Sequence, residues 1–287
     1  MYGVAFTPDN RGLLSGSDDG TVRVWDVESG QCVRIMQGYA AALYDVAWSP
    51  DGTQLASAGT DLLVTIWAVA DRTPLRVLRG HSWSIYGVAW SPDGTRLASC
   101  GYDGSVILWE TATGTQLARL QGHRGMVMSV AWSPDGTRLA SGGGGRGSGE
   151  LFVWDAHSGE PLYALSELSE VVYALVWSPT GTMLISGGSD GMLRWWDVER
   201  GKCVQTRHAH QGTVQSLKTS PDGRRLSSCG DDGAITIWDL ASGEHLRTLR
   251  RDRPYERLTI TGIRGLSEAQ KASLRAVGAF EGTSPDE

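Results

Sequence analysis

Four cysteines, three phenylalanines and ten prolines in 287 residues leave several protein classes without support. No apolar run approaches the ~18 residues that a membrane-spanning helix requires, so no membrane partner is expected. No charged-then-apolar segment of the secretory kind opens the chain, and the expectation is a cytoplasmic protein. No CxxC pair and no paired-histidine spacing is present, so no zinc site is expected, nor any other metal or cofactor. Basic charge is short as well. Lys and Arg number 26 against 32 Asp and Glu, a net charge of −6. Phosphate backbones need a basic field, which argues against nucleic acid as a partner.

The chain is rich instead in tryptophan and glycine, with 12 and 38 residues. Trp25, Trp67, Trp109, Trp154, Trp196 and Trp238 follow one another at gaps of 42, 42, 45, 42 and 42 residues by subtraction. A fixed period of this size, with Trp-Asp closing four of six copies, marks a repeat array. The unit is clearest from Gly80 to Trp109. Ile85 to Trp90 is a β-prone run in which Gly87 and Ala89 alternate with large residues. Ser91-Pro92-Asp93-Gly94 is a turn, with proline presetting φ at its second position. Arg96 to Cys100 is a second strand, Asp103-Gly104 a tight hairpin signal and Val106 to Trp109 a third strand. Thr113-Gly114 turns the chain into a fourth, Gln116 to Leu120. Four antiparallel strands in this span form one blade of a propeller.

The repeat also accounts for the cysteines. Cys32 and Cys203 occupy one position in copies 1 and 5, and Cys100 and Cys229 another in copies 3 and 6. Equivalent positions in different blades lie too far apart to bridge, so four free thiols and a reducing compartment are expected.

This unit resembles a WD40 repeat, and the resemblance covers residues 1–249. It implies an all-β, WD40-type β-propeller of six four-stranded blades. It also implies a buried hydrogen-bond chain, which by matching position joins His81, Ser99, Asp103 and Trp109 in blade 3. His210, Ser228, Asp232 and Trp238 match it in blade 6. A buried carboxylate must be paired, and imidazole, hydroxyl and indole N–H can do that. The other blades are incomplete. Ser15, Asp19 and Trp25 in blade 1 lack a histidine. Tyr39 takes the histidine slot in blade 2, beside Ser57, Asp61 and Trp67. In blade 5, Leu168 takes it, beside Ser186, Asp190 and Trp196. Blade 4 keeps His123, Ser141 and Trp154, but its turn, Gly142 to Gly149, is three residues longer and has no Asp. Blades 1, 2, 4 and 5 are therefore expected to rely more on packing. Gly142, Gly144 and Gly147 match GxGxxG, but strands flank the motif on both sides. A helix N-terminus to face a phosphate is missing, so a flexible hairpin loop is expected.

Residues 250–287 form a separate C-terminal tail, with a strand expected over 258–263 and a helix over 268–277. Ser267 and Gln270 make a capping box, and Gly278 suits the C′ position. Residues 253–280 resemble the C-terminal end of bacterial WD40 proteins linked to signalling ATPases. The array begins on an innermost strand and ends on an outermost one, so no strand is left over to clasp the ring. Two outcomes stay open. Blade 6 packs face to face on blade 1, or six blades form an arc whose gap takes the tail or a second chain. An open arc exposes two large apolar faces, which favours the closed six; self-association is expected only if the ring stays open.

WD40 ligands usually bind the top face, around the central channel. One row of matching positions reads Tyr2, Tyr44, Tyr86, Met128, Tyr173 and Gln215, which would form an aromatic collar that Trp83 extends. A second row, just before the turn Asp, reads Asp18, Thr60, Tyr102, Ser189 and Asp231. Rigid aromatics with a polar tip make interface hot spots. The opposing reading is repeat inheritance, in which the tyrosines are strand packing. Catalysis needs a convergent acid, base or nucleophile, and the repeat uses most of its His and Asp for its own bonds. The expectation is a non-catalytic scaffold or sensor that binds a protein or peptide on the top face. The alternatives are a structural remnant of a larger multidomain signalling protein, in view of the late start at Met1, or a propeller hydrolase.

Overall fold

A computed structural model describes residues 3–7, 9–37, 41–71, 73–145, 147–250, 261 and 267–276. Among the described residues, twenty-four strands form six sheets of four. Blade 1 comprises β1 (Val4–Phe6), β2 (Gly12–Gly16), β3 (Thr21–Asp26) and β4 (Cys32–Gln37). Blade 2 comprises β5 (Leu43–Trp48), β6 (Gln54–Gly59), β7 (Leu63–Ala68) and β8 (Thr73–Arg79). Blade 3 comprises β9 (Ile85–Trp90), β10 (Arg96–Gly101), β11 (Val106–Glu110) and β12 (Gln116–Leu120). Blade 4 comprises β13 (Met126–Trp132), β14 (Arg138–Gly145), β15 (Ser148–Asp155) and β16 (Pro161–Leu168). Blade 5 comprises β17 (Val172–Trp177), β18 (Met183–Gly188), β19 (Met192–Asp197) and β20 (Lys202–His208). Blade 6 comprises β21 (Val214–Thr219), β22 (Arg225–Gly230), β23 (Ala234–Asp239) and β24 (His245–Arg250). Each sheet is an antiparallel meander in chain order, as the turn chemistry of the unit requires.

The Ser-Pro-Asp-Gly turn is tied by its own side chains. In blade 3 the Ser91 hydroxyl donates to Asp93 at 2.6 Å and receives the Arg96 amide at 2.9 Å. The core is divided among the spaces between neighbouring sheets. Five apolar clusters each join one blade to the next, from blades 1 and 2 through blades 5 and 6. The recipe is constant. One wall supplies a strand-a aliphatic, a strand-b Leu and the strand-c Trp, such as Val88, Leu97 and Trp109. The facing wall supplies apolar residues of strands b, c and d, such as Ala56, Val64, Ile66 and Leu78.

The structure departs from the favoured closed six at the seam. Among the described residues no apolar cluster joins blade 6 to blade 1, and the two sheets lack the strand packing made at the other five junctions. Val4 is 40% exposed, whereas its counterparts Val46, Val88, Val130, Leu175 and Leu217 are at most 8% exposed. Ile235 is 45% exposed, whereas Val22, Val64, Val106, Leu151 and Leu193 are fully buried. The interblade geometry that five interfaces share leaves the sixth junction unmade.

Two other expectations change. The glycine stretch of blade 4 is not a long loop. β14 and β15 run on in register, through Gly143↔Glu150 and Gly144↔Gly149 to Gly145↔Ser148. Glycine permits this extension: a Cβ on Gly143 would lie 2.0 Å from the Met126 carbonyl oxygen. In the tail, α1 spans Glu268–Ala276 and carries the expected capping box. The Ser267 amide donates to Gln270 Oε1 at 2.9 Å, and the Gln270 amide to Ser267 Oγ at 3.2 Å. Apart from Thr261, the strand expected over 258–263 lies outside the described residues, as do Val277, Gly278 and the acidic end.

The b–c turn of blade 2 carries one local strain. Leu62 has φ 67°, where the matching turns of blades 1, 3, 5 and 6 have Gly20, Gly104, Gly191 and Gly233. A left-handed non-glycine residue costs about 1–3 kcal/mol, and glycine adds about 0.5–1 kcal/mol of chain entropy. Leu62→Gly is therefore expected to stabilise the chain by about 1 kcal/mol and raise Tm by about 2–4 °C in calorimetry. An unchanged or lower Tm would show that the turn is not strained.

Candidate functional site

The site rests on a scaffold that uses up its own polar groups. In blade 3 the Trp109 indole N–H donates to Ser99 Oγ at 2.8 Å. The Ser99 hydroxyl meets His81 Nε2 at 2.8 Å, and His81 Nδ1 meets Asp103 at 3.0 Å. One proton assignment satisfies the whole chain: Trp to Ser, Ser to Nε2, and Nδ1–H to the carboxylate. Blade 6 repeats it, with Trp238 to Ser228 at 3.0 Å, Ser228 to His210 at 2.8 Å and His210 to Asp232 at 3.0 Å. Burial alone would raise the Asp103 carboxyl, but hydrogen bonds from His81, the Ser82 amide and Ser105 hold it well below the usual range.

Above this scaffold the six innermost strands surround a central channel of about 430 Å³. Tyr44, Tyr86, Met128, Tyr173 and Gln215 all line it. The three tyrosines are half-buried, neither sunk between sheets nor fully in water. Tyr2 lies outside the described residues. Tyr44 and Tyr86 stack at 5.2 Å between ring centroids. Tyr102 continues the patch at 6.4 Å from Tyr86, and Trp83 meets Tyr102 at 5.6 Å. Trp83 is 61% exposed and Tyr102 48%. Burial, together with Tyr44, Tyr102 and Tyr173, pushes the Tyr86 hydroxyl pKa up. The second row is less cohesive. Asp231 is held within its own blade by Gln215 at 2.8 Å and the Thr213 amide at 3.0 Å. Ser189 donates to Glu170 at 3.0 Å, Thr60 is half-buried and Asp18 is exposed.

The family model described as WD domain, G-beta repeat matches residues 1–26, 30–68, 72–110, 114–155, 159–197 and 201–239. The chain belongs to the WD40 family. It is also 44% identical over 36 residues to WD repeat-containing protein 86 of Homo sapiens, which covers 12% of this chain and 10% of that protein. WD40 propellers commonly serve as protein-interaction scaffolds and are typically non-enzymatic.

Two substitutions for the missing WD40 tetrad members escaped the sequence reading. Blade 4 does have a carboxylate: Glu150, on the far arm of the hairpin, meets His123 Nδ1 at 3.2 Å and accepts from the Arg124 amide at 2.9 Å. Burial lowers the His123 pKa, while the Glu150 charge and hydrogen bond work against that. Where the histidine is missing in blades 1 and 5, an arginine four residues beyond the turn Asp pairs with that carboxylate instead. Arg23 meets Asp19 at 2.6 Å and Arg194 meets Asp190 at 2.5 Å. These blades are thus tied by charge as well as packing. Tyr39, in blade 2, lies outside the described residues. The Trp to Ser bond is common to all six, with Trp25, Trp67, Trp154 and Trp196 donating at 2.8–3.0 Å. Also missed was Asp45, where other blades carry Gly, Ser or Ala. It accepts from the Val88 amide of blade 3 at 2.9 Å and so ties two blades at the channel wall. Burial pushes its carboxyl up, against the Val88 bond and the charge of Lys218.

The depressed carboxyls of Asp103 and Asp232 contribute to the acid limb of stability. A folded-state pKa below the unfolded value of about 3.9 gives stability that is complete above that pH and is lost as pH falls through the folded value. Asp103→Asn is expected to cost about 1–3 kcal/mol at pH 7 in urea titration and to flatten the loss of stability below about pH 4. Glu150→Ala is expected to cost about 1–3 kcal/mol, because it leaves His123 and the Arg124 amide without their acceptor. No loss in either variant would remove the carboxylate from the scaffold's support.

Proposed function

We propose that this WD40 propeller is a non-catalytic scaffold or sensor that captures a protein or peptide on its top face. The aromatic patch carries the reading. Tyr44 and Tyr86 stack at the channel mouth, and Tyr102 and Trp83 extend them outward with much of their rings in water. Exposed, mutually braced aromatic rings supply contact area at little entropic cost, which is how hot spots are built. Ser129 and Ser216, which also line the channel, add polar groups for an inserted side chain. Repeat inheritance explains why one row carries tyrosine. It does not explain Trp83 and Tyr102, which lie outside that row.

The setting we propose is cytoplasmic, in keeping with four free thiols, of which Cys32 and Cys203 are exposed. Among the described residues no helix is long and apolar enough to cross a membrane. The tail likeness to signalling-ATPase-linked proteins supports a sensor role beside an effector module.

The test is affinity capture from a cell extract with the wild-type chain and with Tyr44, Tyr86 and Tyr173 together changed to Ala. The expected result is loss of the wild-type capture pattern, with circular dichroism unchanged. Full retention of every captured protein would place the interaction elsewhere than the collar.

A further inference from the structure

The seam between blades 6 and 1 has a chemistry that the top face does not share. Blade 1 presents one complete half of the interblade recipe. Val4 and Phe6 come from β1, Leu13 from β2 and Trp25 from β3. Phe6 is 58% exposed, whereas its counterparts Trp90, Trp132 and Trp177 are at most 9% exposed and Trp48 is half-buried. Leu13 and Trp25 are half-buried, whereas the matching Leu and Trp of the other five blades are buried. Blade 6 presents the other half. Ile235 and Leu249, paired across β23 and β24, are both exposed, whereas the same pair in blade 3, Val106 and Leu120, is buried. Ile237 and Cys229 are half-buried on the same sheet. The seam is thus a socket with two apolar walls, and each wall is made for the kind of face that the opposite wall resembles.

We propose that this socket takes a single four-stranded β-sheet, apolar on both faces, donated by a partner polypeptide as a seventh blade. The interface it completes is the one this chain already makes five times, which states the partner's chemistry: small and branched aliphatics on one face, Leu and Trp on the other. An occupant that touches both walls must have both of its own faces free. No sheet of a second copy meets that condition, because every blade of this chain is packed on at least one side by a neighbour. A second copy therefore covers one wall at a time and leads to head-to-tail growth.

The test supplies the missing sheet in the full chain. A copy of residues 80–121, the whole of blade 3, is placed directly after Arg250, which preserves the strand spacing of the natural blade 2 to blade 3 junction. Phe6→Asp and Ile235→Asp are then made in both the natural and the seven-blade chains. The expected results are a Tm higher by about 5 °C or more for the seven-blade chain, and a several-fold drop in fluorescence of an apolar-surface dye. Both substitutions should lower Tm in the seven-blade chain and leave the natural chain unchanged, with the natural chain monomeric in sedimentation. Equal Tm and equal dye binding in the two chains would overturn the proposal, since the socket would not be one sheet wide. A natural chain that sediments as a dimer or larger, and reverts to monomer with Phe6→Asp, would make a second copy the occupant. A Tm loss from Phe6→Asp in the natural monomer would show that the chain covers the wall itself. Either result overturns the proposal.

Discussion

The structure depends on one hydrogen bond made six times, from the strand-c tryptophan indole to the strand-b serine hydroxyl. It locks the two central strands of each sheet at a fixed register. In blades 2 to 6 the same tryptophan ring joins the apolar cluster shared with the preceding blade, so one residue serves both the sheet and the contact between sheets. Trp109, Trp154 and Trp196 are nearly out of water, which demands that the indole N–H be satisfied within the blade. A serine beside it supplies the acceptor at small volume and leaves a hydroxyl proton for the histidine beyond.

What lies beyond the serine varies, and the variation follows the need to pair the turn carboxylate. The turn carboxylate meets histidine in blades 3 and 6 and arginine in blades 1 and 5. In blade 4 the histidine stays and the carboxylate moves to the other arm of the hairpin. Five of the six blades therefore give a carboxylate near the b–c hairpin a nitrogen partner from a side chain while changing the residues that make the contact. This consumption of polar groups leaves aromatic rings as the chemistry available at the mouth. That is the physical ground for a binding role.

Much of this was legible in the residues. The tryptophan period gave six blades, the Ser-Pro-Asp-Gly turns gave the strand order, and Ser267 with Gln270 marked the helix start. Glu150 was not legible, because its role depends on the glycines pairing as a ladder rather than looping out, and glycine by itself favours neither. Arg23 and Arg194 were readable only as a spacing of four from the turn Asp. The open seam was hidden for a different reason. Closure depends on the sum of small rotations between sheets, and a pattern written one blade at a time records the contact but not the angle. The collar's positions could be read from the repeat, whereas the exposure of Trp83 and Tyr102 needed the loops in place.

The central claim is that packing between blades is made five times and left unmade once. Amide hydrogen exchange, strand by strand, tests it most directly. The account predicts slowest exchange in β10, β14 and β18, which sit between packed neighbours, and fastest exchange in β1 and β23 at the seam. Equal protection of the inner strands in all six blades would contradict it and show a closed ring.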